Sequence, residues 1–174
     1  MFPQRTLLYI KNFDFSTLSN KSPISKLRDK YIVVVENNGG GECIFCCFTT
    51  RLSNETEFHE NANVGCNNSF FPYNVFHFAP FKGVTDSNFI FPDLTFIAGN
   101  KGQLFKYDLT VLSQKYQINN FIEDKGIIHK KLFFDVIHCL SSSFTLEGDV
   151  KEHLFEIGND VFSEIQSEEE NFLE

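Results

Sequence analysis

Residues 31–54 read YIVVVENNGGGECIFCCFTTRLSN. Two apolar runs flank an Asn-Asn-Gly-Gly-Gly turn. Asn and Gly tolerate positive φ, so the chain can reverse here and pair the two runs. The stretch predicts a β-hairpin with strands over 30–36 and 42–50. The second run ends in Thr49, Thr50 and Arg51, three hydrogen-bonding side chains at the mouth of the hairpin. A planar guanidinium fork beside two hydroxyls is a chemistry that holds phosphate. The same residues also read as a plain strand end, with β-branched side chains and one solvated arginine.

Outward from the hairpin, Leu7-Leu8-Tyr9-Ile10 reads as an N-terminal strand or arm, followed by a Ser/Asn/Lys/Pro loop. Residues 51–72 are polar and form a long loop, with room for one short strand. Residues 73–79 (YNVFHFA) alternate and read as a strand. Residues 89–98 read as a strand broken at Pro92-Asp93, and 103–108 as a further short strand after a Gly99–Gly102 turn. The period then changes. Ile128, Leu132, Phe133, Val136, Ile137 and Leu140 recur at three- and four-residue spacing, which predicts an amphipathic helix over 127–140. Val150, Leu154, Phe155, Ile157, Val161, Phe162 and Ile165 predict a second over 149–165, with Asp149 as N-cap and QSEEENFLE frayed beyond it. Strands followed by helices make an α+β fold: a small curled antiparallel β-barrel or sheet carrying two C-terminal amphipathic helices. The division expected is one β-rich unit over 1–146, including the first helix, and an acidic helical tail over 147–174.

The 174 residues suit one domain, and 42% hydrophobic content supports a core. Twenty-two Phe and no Trp lean towards pleated, half-buried surfaces. The preference for Lys over Arg and the abundance of Asn point to an AT-rich genome, bacterial or mobile. No apolar run reaches the roughly 18 residues of a membrane span. The N-terminus lacks signal-peptide features, so a soluble, cytoplasmic protein without membrane partners is expected. Five cysteines, several in an apolar strand, predict reduced core thiols rather than a disulfide framework. Cys43, Cys46 and Cys47 with His59 and Cys66 superficially suggest zinc. In a strand, however, Cys46 points away from Cys43 and Cys47, so no metal is expected. No Gly-rich phosphate loop, Gly-x-Ser-x-Gly elbow or His-Glu-x-x-His motif is present, and no cofactor is expected.

The net charge of -8 is unevenly spread. Residues 147–174 hold ten acidic residues and one basic residue, while 1–146 hold 13 and 14. The body is near neutral and the tail strongly anionic, which favours basic partners at the tail. The tail reads either as the solvated face of a surface helix or as a mask over a basic groove or basic partner.

A basic segment Lys26-Leu27-Arg28-Asp29-Lys30, a strand YIVVVE, a turn, and a second strand ending in Thr-Thr-Arg resemble the first half of the MazF/PemK/CcdB-type toxins over about 26–100. That family consists of small SH3-like barrels with a C-terminal helix. The resemblance implies a toxin–antitoxin or defence module and metal-independent RNA cleavage, the 2'-hydroxyl attacking the adjacent phosphate. It would give Arg28 the family's arginine position and Thr49 or Thr50 the hydroxyl position, with Arg51 adding charge. This sequence departs from the motif at Asp29, where the family has Pro. The general base stays open among His59, Glu57 and His77, although His77 between two phenylalanines also reads as a core residue. RNA would meet Lys21, Lys26, Lys30 and the two arginines, with Phe70, Phe71 and Tyr73 stacking on bases. Partners implied are RNA, a cognate antitoxin or another protein, and a second copy of the chain. The competing expectation is a non-enzymatic interaction protein that docks a partner through its acidic helix.

Overall fold

The computed structural model describes residues 2–14, 27–37, 42–47, 64–68, 74–79, 81–93, 95–99, 104–117 and 120–171. The hairpin is present: β2 (Arg28–Asn37) pairs antiparallel with β3 (Glu42–Cys47), with Val33 opposite Cys46. The N-terminal strand, β1 (Thr6–Phe13), lies on the other side of β2, Leu7 opposite Val33. Outer positions are taken by β7 (Leu104–Asp108) beside β3 and β8 (Ile122–Ile127) beside β1. Three short strands, β4 (Gly65–Asn67), β5 (Val75–His77) and β6 (Phe96–Ala98), pair in that order as a second antiparallel sheet.

Strand β2 reads as an unbroken apolar run because it is covered on both sides. Val33 and Val35 join Leu7 in one core with the second sheet and the C-terminal helices. Ile32 and Val34 join Leu8 and Ile10 in another. That second core is capped by α1 (Leu109–Gln117) through Leu112 and Tyr116. The chain thus leaves β7 at one edge, crosses the sheet as α1 and returns as β8 at the other edge. The register shifts within β1 and β2 are bulges, which bend and twist strands. One bulge holds Asn12 at φ 53, a conformation Asn tolerates.

The structure corrects several expectations. There are two open sheets rather than one closed barrel among the described residues, since closure needs a continuous ladder around the ring. Among the described residues of the segment 89–98, only Phe96–Ala98 form a strand. Helix α1 and strand β8 are additional elements. The first C-terminal helix, α2 (Lys130–Ser141), begins three residues later than expected. Ile127 ends β8, and Ile128 bridges Thr85 and is buried. The last helix, α3 (Gly148–Asn171), continues through the acidic run that composition suggested would fray. Leu154, Ile157 and Val161 of α3 belong to the same core as Phe133, Val136 and Ile137 of α2.

The reduced-thiol expectation is overturned at one pair: Cys66 of β4 and Cys139 of α2 form a disulfide across 73 residues of sequence, with Cα atoms 5.5 Å apart. Nearby, the buried Ser143 hydroxyl donates to the Gly99 carbonyl (2.7 Å) and accepts from the Asn74 N–H (3.1 Å). The Asn74 amide donates to the Cys139 carbonyl at 3.1 Å. This node and the disulfide fix the second sheet to the end of α2. A Cβ at Gly99 would come within 2.7 Å of Ser143 Cβ, so the close approach requires glycine.

Candidate functional site

Among the catalytic candidates, Arg28 opens β2, exposed and opposite Phe13 of β1. Lys30 is half-buried opposite Ile10. His77 is on β5, in the other sheet, 2% exposed, with its Nδ1 3.1 Å from the Asn67 amide nitrogen. Lys21, Lys26, Thr49, Thr50, Arg51, Glu57, His59, Phe70, Phe71 and Tyr73 lie outside the described residues. Among the described residues no cluster of His, Cys, Asp and Glu has the makings of a metal site, and no helix is long and apolar enough to cross a membrane.

The described residues do assemble a surface on α2 and α3. Helix α3 buries Leu154, Ile157, Gly158 and Val161, the stripe that three- and four-residue spacing places on one face. Gly158 faces Ile137 of α2: a Cβ there would stand 3.6 Å from Ile137 Cγ2, an ordinary van der Waals contact. Beside the stripe runs a second line, Glu152, Phe155, Asn159, Phe162 and Gln166, at the same spacing. Phe155 and Phe162 remain 56% and 43% exposed. Facing them on α2 are Phe134 and His138, one turn apart and stacked with ring centroids 5.9 Å apart. Phe134 also meets Phe162 at 5.3 Å. These residues line a groove of about 170 Å³, floored by Leu154 and Gly158. Just past α2, Phe144 is 76% exposed, with the Lys151 ammonium 5.7 Å from its ring centroid.

Helix α3, which lines one side of this groove, is strongly acidic, and its carboxylates are only partly paired among the described residues. Lys130, at the start of α2, pairs with Glu168 and with Glu164 (3.0 Å), and those carboxylates, Glu168 foremost, raise its pKa. His153 reaches Glu36 of β2 through Nε2 and Glu156 through Nδ1 at 3.6 Å. Glu152, Asp160, Glu169 and Glu170 are exposed and have no cationic partner among the described residues.

A third polar cluster lies on the outer part of the large sheet. The Tyr9 hydroxyl donates to Asp29 Oδ2 at 2.8 Å, a bond that with burial pushes its pKa up to about 12. Asp29 also accepts the Asn12 N–H at 3.0 Å, the largest reason its pKa falls. Glu123 bridges Lys11 and Lys125, both at 2.6 Å, and is pulled down to about 2. Tyr9, Tyr31, Phe89 and Phe91 pack ring to ring beside these charges. Among the described residues here, Lys11 and Lys125 are both engaged by Glu123, while Asp29 is held by Tyr9 and the Asn12 N–H.

Composition gave the charge of α3 but no sign of the α2 half of the groove. Phe134 and His138 lie outside the apolar stripe read for α2, whereas Phe155 and Phe162 fall within the one read for α3 and prove 56% and 43% exposed. Comparison with protein-family models, curated proteins and solved structures returned no match.

Proposed function

We propose that the protein is a non-enzymatic interaction module that docks a partner protein through the α2–α3 surface, and that the partner presents a basic, amphipathic segment. The observation that carries this reading is the pair of exposed phenylalanines, Phe155 and Phe162, lining a groove on the acidic helix α3. Solvent-exposed aromatic surface gains about 25 cal/mol per Å² of apolar area when covered. Aromatic anchors in such pockets dominate protein interfaces, while a charged rim steers association and selects the partner's sign. Calorimetric titration with an 18-residue Leu/Lys amphipathic peptide tests this. Saturable binding that weakens as salt rises, and disappears in Phe155→Ser/Phe162→Ser, is expected. An all-Glu version of the peptide binding equally well would refute it.

A second reading is a toxin-like protein of the MazF/PemK/CcdB kind with an SH3-like barrel ancestry and metal-independent endoribonuclease activity. It is favoured by the exposed Arg28 at the head of β2, towards which β3 runs antiparallel. In this reading Arg28, Arg51 and Thr49 or Thr50 act on RNA, and an antitoxin is the partner of the acidic helix. Cleavage of a long RNA in chelator by the full chain, lost in Arg28→Ala and Arg51→Ala, is the expected result; intact RNA would end this reading and leave the first untouched. A cytoplasmic location belongs to the same proposal. The Cys66–Cys139 bond argues against it, because cytosolic thiol buffers keep most such pairs reduced. Intact-mass measurement of natively produced protein under alkylating conditions decides the point.

A further inference from the structure

Beside Cys66 lies a cavity of about 390 Å³, lined by residues of β4, β5, α2 and the segment 79–84. Its size falls within the roughly 300–1,000 Å³ of small-molecule sites. Apolar walls come from Val64, Phe76, Val84 and Leu132. Four titratable side chains converge on it: His77 from β5, Lys82, and Asp135 and His138 from α2. Their charges are unbalanced. Asp135 is neutralised by Lys131, whose ammonium lies 2.6 Å away. Lys82 makes no ion pair with any described residue and is exposed at the cavity. The Asn67 amide donates to His77 Nδ1, so a neutral His77 ring carries its proton on Nε2 and is a donor. The cavity therefore offers apolar walls and a cation.

We infer that this cavity binds a small organic anion with an aromatic or branched apolar body, its carboxylate paired with Lys82 and its body against Phe76, Val84 and Leu132. An apolar pocket with a few directed polar groups is the usual design of such sites, and an uncompensated cation beside low-dielectric walls favours negative charge. The cavity is separate from the α2–α3 groove, although His138 borders both. A ligand seated here would contact the helix that supplies Phe134 to the docking surface.

The test is ¹⁹F NMR titration of the full chain with 4-fluorobenzoate, 4-fluorobenzamide as its neutral counterpart, and inorganic phosphate as competitor. One saturable site for fluorobenzoate, at least tenfold weaker binding of fluorobenzamide, and little competition by phosphate are expected. Lys82→Ala, an exposed change that leaves the fold intact, should reduce fluorobenzoate to the affinity of fluorobenzamide. Leu132→Trp should fill the cavity and abolish both. Absence of saturation at millimolar fluorobenzoate, equal affinity for the amide, or full binding by the Lys82→Ala protein would each overturn the inference.

Discussion

Tyr9 and Asp29 show how much one hydrogen bond sets at the surface of the large sheet. The phenol is held protonated by the carboxylate it donates to, and its pKa moves from 10.0 to about 12. The sign follows from linkage: the folded state holds this proton more tightly than the unfolded state. Its contribution to stability is complete below pH 10 and is lost as pH rises through about 12. Spectrophotometric titration should show one of the five tyrosines ionising near pH 12, a step absent in Tyr9→Phe and moved downward in Asp29→Asn. A step unmoved by Asp29→Asn would contradict this assignment. None of this was legible in the sequence. Tyr9 and Asp29 are 20 residues apart, and only the β1–β2 register, Tyr9 opposite Tyr31, brings them together. His77 was legible in part: flanking phenylalanines marked it as buried, but the Asn67 contact and the cavity depend on how β4 pairs with β5.

Helices α2 and α3 were legible because each buries one stripe, and the three- and four-residue spacing of Leu, Ile, Val and Phe records it. The stripe also separates packing from function. Leu154 is fully buried, so Leu154→Ala should cost about 2–5 kcal/mol in chemical denaturation. Phe155, its neighbour, is more exposed than buried, and Phe155→Ala should change stability by less than about 0.5 kcal/mol while weakening partner binding. Equal losses of stability would show that Phe155 serves the core instead. Helix α1 and strand β8 were missed for a physical reason. The sequence LTVLSQKYQ mixes β-branched and polar residues, and its anchors, Leu112 and Tyr116, insert into a core supplied by distant strands. Strand β8 carries charges because its side chains are only partly covered. A local signal existed in Asp108, whose Oδ1 accepts the Thr110 N–H at 2.7 Å and the Val111 N–H at 3.2 Å. Asp108→Ala should cost about 1 kcal/mol, as loss of an N-cap does.

At the scale of the molecule, the two small sheets and three helices among the described residues are joined by a covalent tie and a buried polar node. Removing the Cys66–Cys139 bond frees the unfolded chain across a 73-residue separation. Cys66→Ser should therefore lower unfolding free energy by about 2–5 kcal/mol, with reduction of the parent protein producing the same loss. No difference between oxidised and reduced protein would mean that the node alone fixes the second sheet. Cysteine count could not reveal this pair, because an odd number with three thiols on one strand resembles a reduced core. The two-sheet arrangement was likewise beyond local pattern. Alternation identifies strands, but whether the last strand closes on the first or starts a second sheet is decided by the connections. Charge distribution was fully legible, and the structure adds that the acidic helix α3 also carries the exposed rings of Phe155 and Phe162.

The docking claim is tested most directly by amide NMR mapping of the ¹⁵N-labelled full chain during titration with the Leu/Lys amphipathic peptide. The account predicts shift changes concentrated at Phe134, His138, Phe155, Asn159 and Phe162, diminishing as salt rises and absent in Phe155→Ser/Phe162→Ser. Shift changes centred on the β1–β2 face, or none at saturating peptide, would contradict it.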